Sequence, residues 1–122
     1  MALGVGIEVL YEKNIRDSLE GSGEHFLKKS LTDWEVSRAK KDPLPLVYYS
    51  RIFSAKEAIL RLFEEEPGVL PTEIEIRDGR FGEPVPRLTG KIKRIMKHRG
   101  ASRISLNVIF EDGFAVAVAV LE

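Results

Sequence analysis

The sequence predicts an α+β domain in which a mainly antiparallel sheet packs on one long helix. Three observations carry that expectation. Apolar residues alternate with small or polar ones in "GVGIEVL" and in "TEIEIRD", the period-2 pattern of strands with one covered face. Residues 46–65 hold apolar positions at helical spacing over several turns. The C-terminal "RISLNVIF", "EDG" and "FAVAVAVLE" read as two strands joined at an Asp-Gly turn. The order is strand, helices, two strands, helix, two strands, with no repeat or linker.

Each element has a local reason. In the first strand, Val5, Ile7 and Val9 form the face expected to be buried, and Gly4 and Gly6 leave room for a close approach on the other. Residues 12–41 are polar and broken by "EGSGE". Short helices are expected at 24–30 and 33–40, the second opened by Thr32 as N-cap with Glu35 three residues on. "KDPLP" forces a turn, the long helix follows, and "PGVLP" ends it. "TEIEIRD" is a strand, "DGRFGEP" a turn and "VPRL" a short strand. "GKIKRIMKH" suits a helix with Ile92, Ile95 and Met96 inward.

A length of 122 residues fits a single domain spanning 1–122. Apolar residues make up 43% and charged residues 31%, ordinary for a soluble globular chain. The 19 basic and 19 acidic residues cancel, so no global charge draws the chain to nucleic acid or an anionic membrane. The absence of cysteine excludes disulfides, thiolate zinc sites and cysteine nucleophiles, and suits a reducing cytoplasm. No apolar run approaches the roughly 20 residues that span a bilayer. The apolar "MALGVGIEVL" has no basic leader and no cleavage pattern, so it reads as a strand rather than a signal peptide.

Chemistry concentrates on the long helix. On a wheel of about 100° per residue, Ile52, Phe53, Ala55, Ala58, Ile59, Leu60, Leu62 and Phe63 cover more than half the circumference. Such a helix is mostly enclosed. Lys56 projects from the middle of that arc, with Glu57 and Arg61 one turn apart on its border. Two readings stand. Lys56 snorkels to water while Glu57 pairs with Arg61, or the face opens on a polar site that needs a cation and a carboxylate together. Phosphate chemistry is the usual reason for such a pairing. Glu8 likewise is either an ordinary solvent-side residue or one that faces a cleft.

The run Phe53-Ser54-Ala55-Lys56-Glu57-Ala58, with Arg61 following, resembles the F-x-x-K-E-A-x-x-K motif of 4′-phosphopantetheinyl transferases. Gly6-Ile7-Glu8-Val9 resembles that family's opening strand, where Asp is usual in place of Glu8. "GEPVPRL" and "DGFAVAVAV" resemble its turn and closing strands, and the length and spacing are similar to the small holo-acyl-carrier-protein synthase branch. The resemblance implies a 4′-phosphopantetheinyl transferase-like fold. It also implies Mg²⁺-dependent transfer of the arm of coenzyme A to a serine of an acyl carrier protein. Glu8 and Glu57 would hold the metal, with Glu57 and Lys56 catalytic. Lys56, Arg61 and Arg51 would contact coenzyme A phosphates. Small synthases of this kind are homotrimers with sites between subunits.

The chain also departs from that pattern. Arg61 stands where Lys is usual, and Asn14 where an arginine contacts the carrier protein in relatives. The histidine expected before the last hairpin is absent from "SLNVIF", and the Gly-Thr-Gly after the long helix is replaced by "EEEPGVL". These changes motivate the alternative of a catalytically degenerate trimeric module that binds a protein or serves as a structural domain. Lys91, Lys93, Arg94, Lys97, Arg99 and Arg103 form a basic run. It reads as a solvated helix face, as a docking surface for an acidic carrier protein or as loose nucleic-acid contact, the last without support from any nucleic-acid motif. Trp34, Tyr48 and Tyr49 read as core or subunit interface.

Overall fold

The computed structural model describes residues 2–122. In chain order the elements are β1 (Gly4–Tyr11), α1 (Glu12–Gly21), α2 (Gly23–Ser30), α3 (Asp33–Lys40) and α4 (Pro45–Arg61), followed by β2 (Ile74–Asp78), β3 (Pro84–Leu88), α5 (Gly90–His98), β4 (Ile104–Glu111) and β5 (Phe114–Leu121). A one-turn 3-10 helix, Pro71–Glu73, leads into β2. The expected strands and the helices α2 to α5 are present. α1 is an addition, a short amphipathic helix that buries Ile15. Its signal in the sequence is thin, only Ile15 and Leu19 at a spacing of four behind Glu12.

Local chemistry sets the boundaries. The Thr32 hydroxyl accepts from the Glu35 N–H at 3.3 Å, and the Glu35 carboxylate accepts from the Thr32 N–H at 2.9 Å, a complete capping box. α4 opens with Pro45 in its first turn, where a missing N–H costs nothing. Asp112 and Gly113 join β4 to β5 with positive φ of 51° and 80°. That two-residue turn matches the right-handed twist of a hairpin.

The strands form two antiparallel sheets, β1-β5-β4 and β2-β3. β5 lies central in the first, with Glu8 opposite Ala117 and Asn107 opposite Val118. α4 crosses the inner face of this sheet. Ala115, Ala117 and Ala119 are fully buried there, small enough to admit the helix's large side chains. Ile52, Phe53, Ala55, Ala58, Ile59, Leu62 and Phe63 are buried as the broad apolar arc requires.

The expected inner face of β1 is corrected. Val5, Ile7 and Val9 are 58%, 54% and 58% exposed. The face carrying Gly4, Gly6, Glu8 and Leu10 turns to α4 instead. Gly6 shows why. A Cβ at that position would lie 2.0 Å from the Ala58 carbonyl oxygen, far inside contact distance, so only glycine lets strand and helix backbones meet this closely. The outer face of the three-stranded sheet is left apolar, with Val5, Ile7 and Val9 beside Val120, Val118 and Val116 and with Ile109 61% exposed.

Candidate functional site

The contact of β1 with α4 brings two carboxylates of distant sequence together. Glu8 follows Gly4 and Gly6 on the inward face, so the glycine register that admits the helix also aims Glu8 at it. Glu57 projects from α4 beside Ala58, whose carbonyl faces Gly6. Arg61, one turn further, donates from Nε and Nη2 to Glu8 Oε2 at 2.8 and 2.7 Å. It also pairs with Glu64 at 3.5 Å. Arg61 therefore joins helix to strand, where the sequence pattern suggested a pairing with Glu57 along the helix.

The electrostatics of the cluster follow from this geometry. Partial desolvation and then the nearby Glu8 charge push Glu57 above the usual carboxylate range, and Arg61 opposes them. Bonding to Glu8 raises the Arg61 guanidinium above its ordinary value. Two carboxylates near one another, with an exposed guanidinium beside them, can share a divalent cation and meet an oxyanion. Among the described residues no group of three or more His, Cys, Asp or Glu side chains is placed to hold a metal. A carboxylate pair suits Mg²⁺, which takes one or two protein carboxylates and completes its shell with phosphate oxygens and water. It does not suit zinc, which takes three or four protein ligands.

Lys56 belongs elsewhere. It is 1% exposed and its amine neither snorkels to water nor reaches Glu8 and Glu57. Nζ lies 2.5 Å from Glu35 Oε1, and donates to the carbonyls of Ser30 at 2.9 Å and Pro71 at 3.2 Å. An ammonium has three N–H donors, and all three are used. Glu35, itself fully buried, accepts from Thr32 N through Oε1 and from Ile76 N at 2.7 Å through Oε2. This knot ties α2, α3, α4 and β2 together. Burial pulls the Lys56 amine below its ordinary value, and Glu35 pulls it back. Sequence reasoning had Glu35 as a cap alone. The signal that could have paired it with Lys56 is that a lysine inside an apolar arc needs a buried acid, and a capping-box glutamate is one already turned inward.

Arg51 also stands apart from the carboxylate pair. It borders a cavity of about 260 Å³ with Arg38, Asp42, Tyr48 and Asp78. Arg38 spans Asp78 at 2.6 Å and Asp42 at 2.9 Å and covers the Tyr48 ring. Tyr48 is buried, and its hydroxyl has no partner among the described residues. Burial pushes that hydroxyl above its ordinary value. Trp34 lies under Arg77 at 5.1 Å. The structure thus unites Glu8, Glu57 and Arg61 and leaves Lys56 and Arg51 in other surroundings.

Comparisons with known proteins agree with this architecture. The chain is 32% identical over 123 residues to the holo-acyl-carrier-protein synthase of Halothermothrix orenii, covering 100% of this chain and 98% of that one. The crystal structure of the holo-acyl-carrier-protein synthase of Neisseria meningitidis superposes with a TM-score of 0.90 at 25% identity, over 100% of this chain and 99% of that chain. The Bacillus anthracis synthase, solved in complex with CoA (3′,5′-ADP), superposes with a TM-score of 0.77 at 25% identity, over 99% of this chain and 96% of that chain. No protein-family model matches the chain. The fold and the near full-length relatives place the chain in the 4′-phosphopantetheinyl transferase superfamily. Within that class, the chain belongs to the holo-acyl-carrier-protein synthase family.

Proposed function

We propose that this protein transfers 4′-phosphopantetheine from coenzyme A to a serine of an acyl carrier protein. The observation that carries the reading is the convergence of Glu8 and Glu57 beside Arg61, at the place where the strand meets the helix. Family membership and the coenzyme A complex of a relative support it.

In this reading Glu8 and Glu57 hold Mg²⁺, which supplies charge neutralisation at the coenzyme A pyrophosphate. The serine oxygen attacks the phosphorus that bears the pantetheine. A new O–P bond forms, the P–O bond to the nucleotide breaks, and 3′,5′-ADP leaves with the electron pair. A carboxylate of the pair, or a water held beside it, takes the serine proton. Arg61, about half exposed at 48%, offers a planar fork to phosphoryl oxygen where a lysine would give a point charge. Arg51 is assigned to the nucleotide 3′-phosphate. Lys56 acts through the packing of α4 rather than on the substrate.

The protein is further proposed to be a homotrimer working in the cytoplasm. Exposed Val5, Ile7, Val9 and Ile109 share one apolar sheet face, the kind of surface that an interface between copies would cover. No helix among the described residues is long and apolar enough to cross a membrane. Sedimentation should give a trimer for the 13.8 kDa chain, and Ile109→Asp should release monomer. A monomeric wild type would remove the trimer from the proposal.

Mass spectrometry of apo-carrier protein incubated with the protein, coenzyme A and Mg²⁺ tests the reaction. The expected result is addition of the phosphopantetheine mass, abolished by EDTA and restored by excess Mg²⁺. Binding of the carrier without any added mass would favour the degenerate module, which the missing histidine and the acidic "EEEPGVL" segment otherwise suggest.

A further inference from the structure

Arg61 is the last residue of α4 and serves two acids at once. Its Nε and Nη2 lie 2.8 and 2.7 Å from a single oxygen of Glu8, Oε2. Its Nη1 lies 3.5 Å from Glu64. A carboxylate oxygen has about two lone-pair sites, so the fork fills Oε2. A cation on the other oxygen of Glu8 would face the guanidinium across one carboxylate, and like charges at that range repel. The proposed metal ligand and the proposed phosphate contact are therefore spent on each other. Neither is available for its assigned work while this pair is closed.

The pair is built to open from one side. The Glu8 side chain is 17% exposed, and its backbone is locked in the pairing of β1 with β5. Arg61 is 48% exposed. Its stem is held against β1, since a Cβ added at Gly6 would lie 3.4 Å from the Arg61 Cβ. Its head stands at the surface, with exposed Glu64 as a second acid beside it. The guanidinium thus has water and another carboxylate to move to, and Glu8 has no such freedom. An ion pair this open to water is weak, so a divalent cation can displace it. Lys56 on the same helix is the contrast. It is 1% exposed, and its three donors are committed to Glu35, Ser30 and Pro71.

We propose that Arg61 is a built-in counter-ion, which holds the Glu8 oxygen until a divalent cation takes its place and is thereby freed to meet phosphate. The proposal rests on the reading of Glu8 and Glu57 as the metal pair and of Arg61 as a phosphate contact. Such an exchange has a use. Two carboxylates brought together repel, and a resident cation lets strand and helix close on each other before any ligand arrives. It also couples two arrivals, because the guanidinium is released where the metal and its phosphate enter. Arg61 stands where lysine is usual. A rigid fork can set two nitrogens on one carboxylate, whereas an ammonium is a single point charge. Arginine therefore makes the tighter counter-ion, and raises the metal concentration that the chain needs.

The test reads metal binding and Arg61 itself, apart from any loading of carrier. Mn²⁺ suits the same oxygen ligands as Mg²⁺. It is titrated into wild type, Arg61→Gln and Arg61→Lys and followed by its electron spin resonance. Arg61→Gln should bind Mn²⁺ about fivefold tighter or more. Mn²⁺ should also raise the melting midpoint of Arg61→Gln further than that of wild type. Arg61→Lys should gain less in the same direction, which guards against a misfolded glutamine variant. In parallel, nuclear magnetic resonance follows the Arg61 Nε–H of wild type, assigned by its loss in Arg61→Gln. That proton should be protected from solvent exchange in the protein alone and lose its protection as Mg²⁺ is added. Mn²⁺ affinity that is equal or lower in Arg61→Gln overturns the exchange and leaves the carboxylate pair as the metal site. So does an Nε–H that stays protected at saturating Mg²⁺. If neither wild type nor Arg61→Gln binds Mn²⁺, the metal reading falls and the exchange with it. The expected metal pattern in a protein that loads no carrier keeps the exchange and removes the transfer.

Discussion

Glu57→Gln is expected to slow carrier loading by about 100-fold or more, close to 3 kcal/mol at the transition state. The substitution keeps the shape and removes one of the two carboxylate charges at the strand–helix contact. A cation held by Glu8 and phosphate alone is held less well, and the amide cannot take the serine proton. Glu8→Gln should also fail, and in addition loosens Arg61, which bonds Glu8 through two nitrogens. Folding supplies the control. Glu57 is pushed upward by desolvation and by Glu8. A carboxylate whose pKa rises on folding costs stability above its unfolded value and costs nothing well below it. The melting midpoint of Glu57→Gln at neutral pH should thus match or exceed wild type, and the difference should vanish in acid. Undiminished loading by Glu57→Gln would remove the carboxylate pair from the chemistry. A lowered midpoint at neutral pH would mean that Glu57 serves the fold.

The largest stability effect is expected at Lys56. Lys56→Met leaves the Glu35 carboxylate buried without its cation, a cost of about 3–5 kcal/mol. It also frees the carbonyls of Ser30 and Pro71 from their donor. Glu35→Gln/Lys56→Met should recover much of that loss. A glutamine keeps an oxygen for the N–H of Thr32 or Ile76 and brings no charge into the interior. Urea midpoints of the two single variants and the double variant give the coupling. Suppose instead that Lys56→Met unfolds within about 1 kcal/mol of wild type and yet loads no carrier. The amine would then be serving the reaction, and its assignment to the framework would be wrong.

Local signals were legible along the chain. The Asp-Gly turn, the Thr32–Glu35 box, the breadth of the apolar arc on α4 and the bounds of α3 and α5 all appear where sequence places them. Each depends on residues within a turn or two of one another, so neighbours along the chain suffice to set it. The motif around Lys56 and Glu57 pointed to the right family and to two of the three residues that meet at the site.

Partnership and facing were not legible. Alternation in "GVGIEVL" establishes that β1 has two faces, and says nothing of which one α4 covers. Hydrophobicity favoured the Val5–Ile7–Val9 side. Tertiary packing chose the glycine side, because only there does the Ala58 carbonyl find room against the strand. The identity of the acid beside Lys56 was hidden for a similar reason. An amine inside an apolar arc must meet a carboxylate, but which one depends on how α3 lies across α4. The sequence by itself thus determined the elements other than α1, their order and the family. The tertiary structure decided which face of β1 is buried, which lysine is structural, and that Glu8 answers to Arg61, since those depend on backbone approach between segments far apart in the chain.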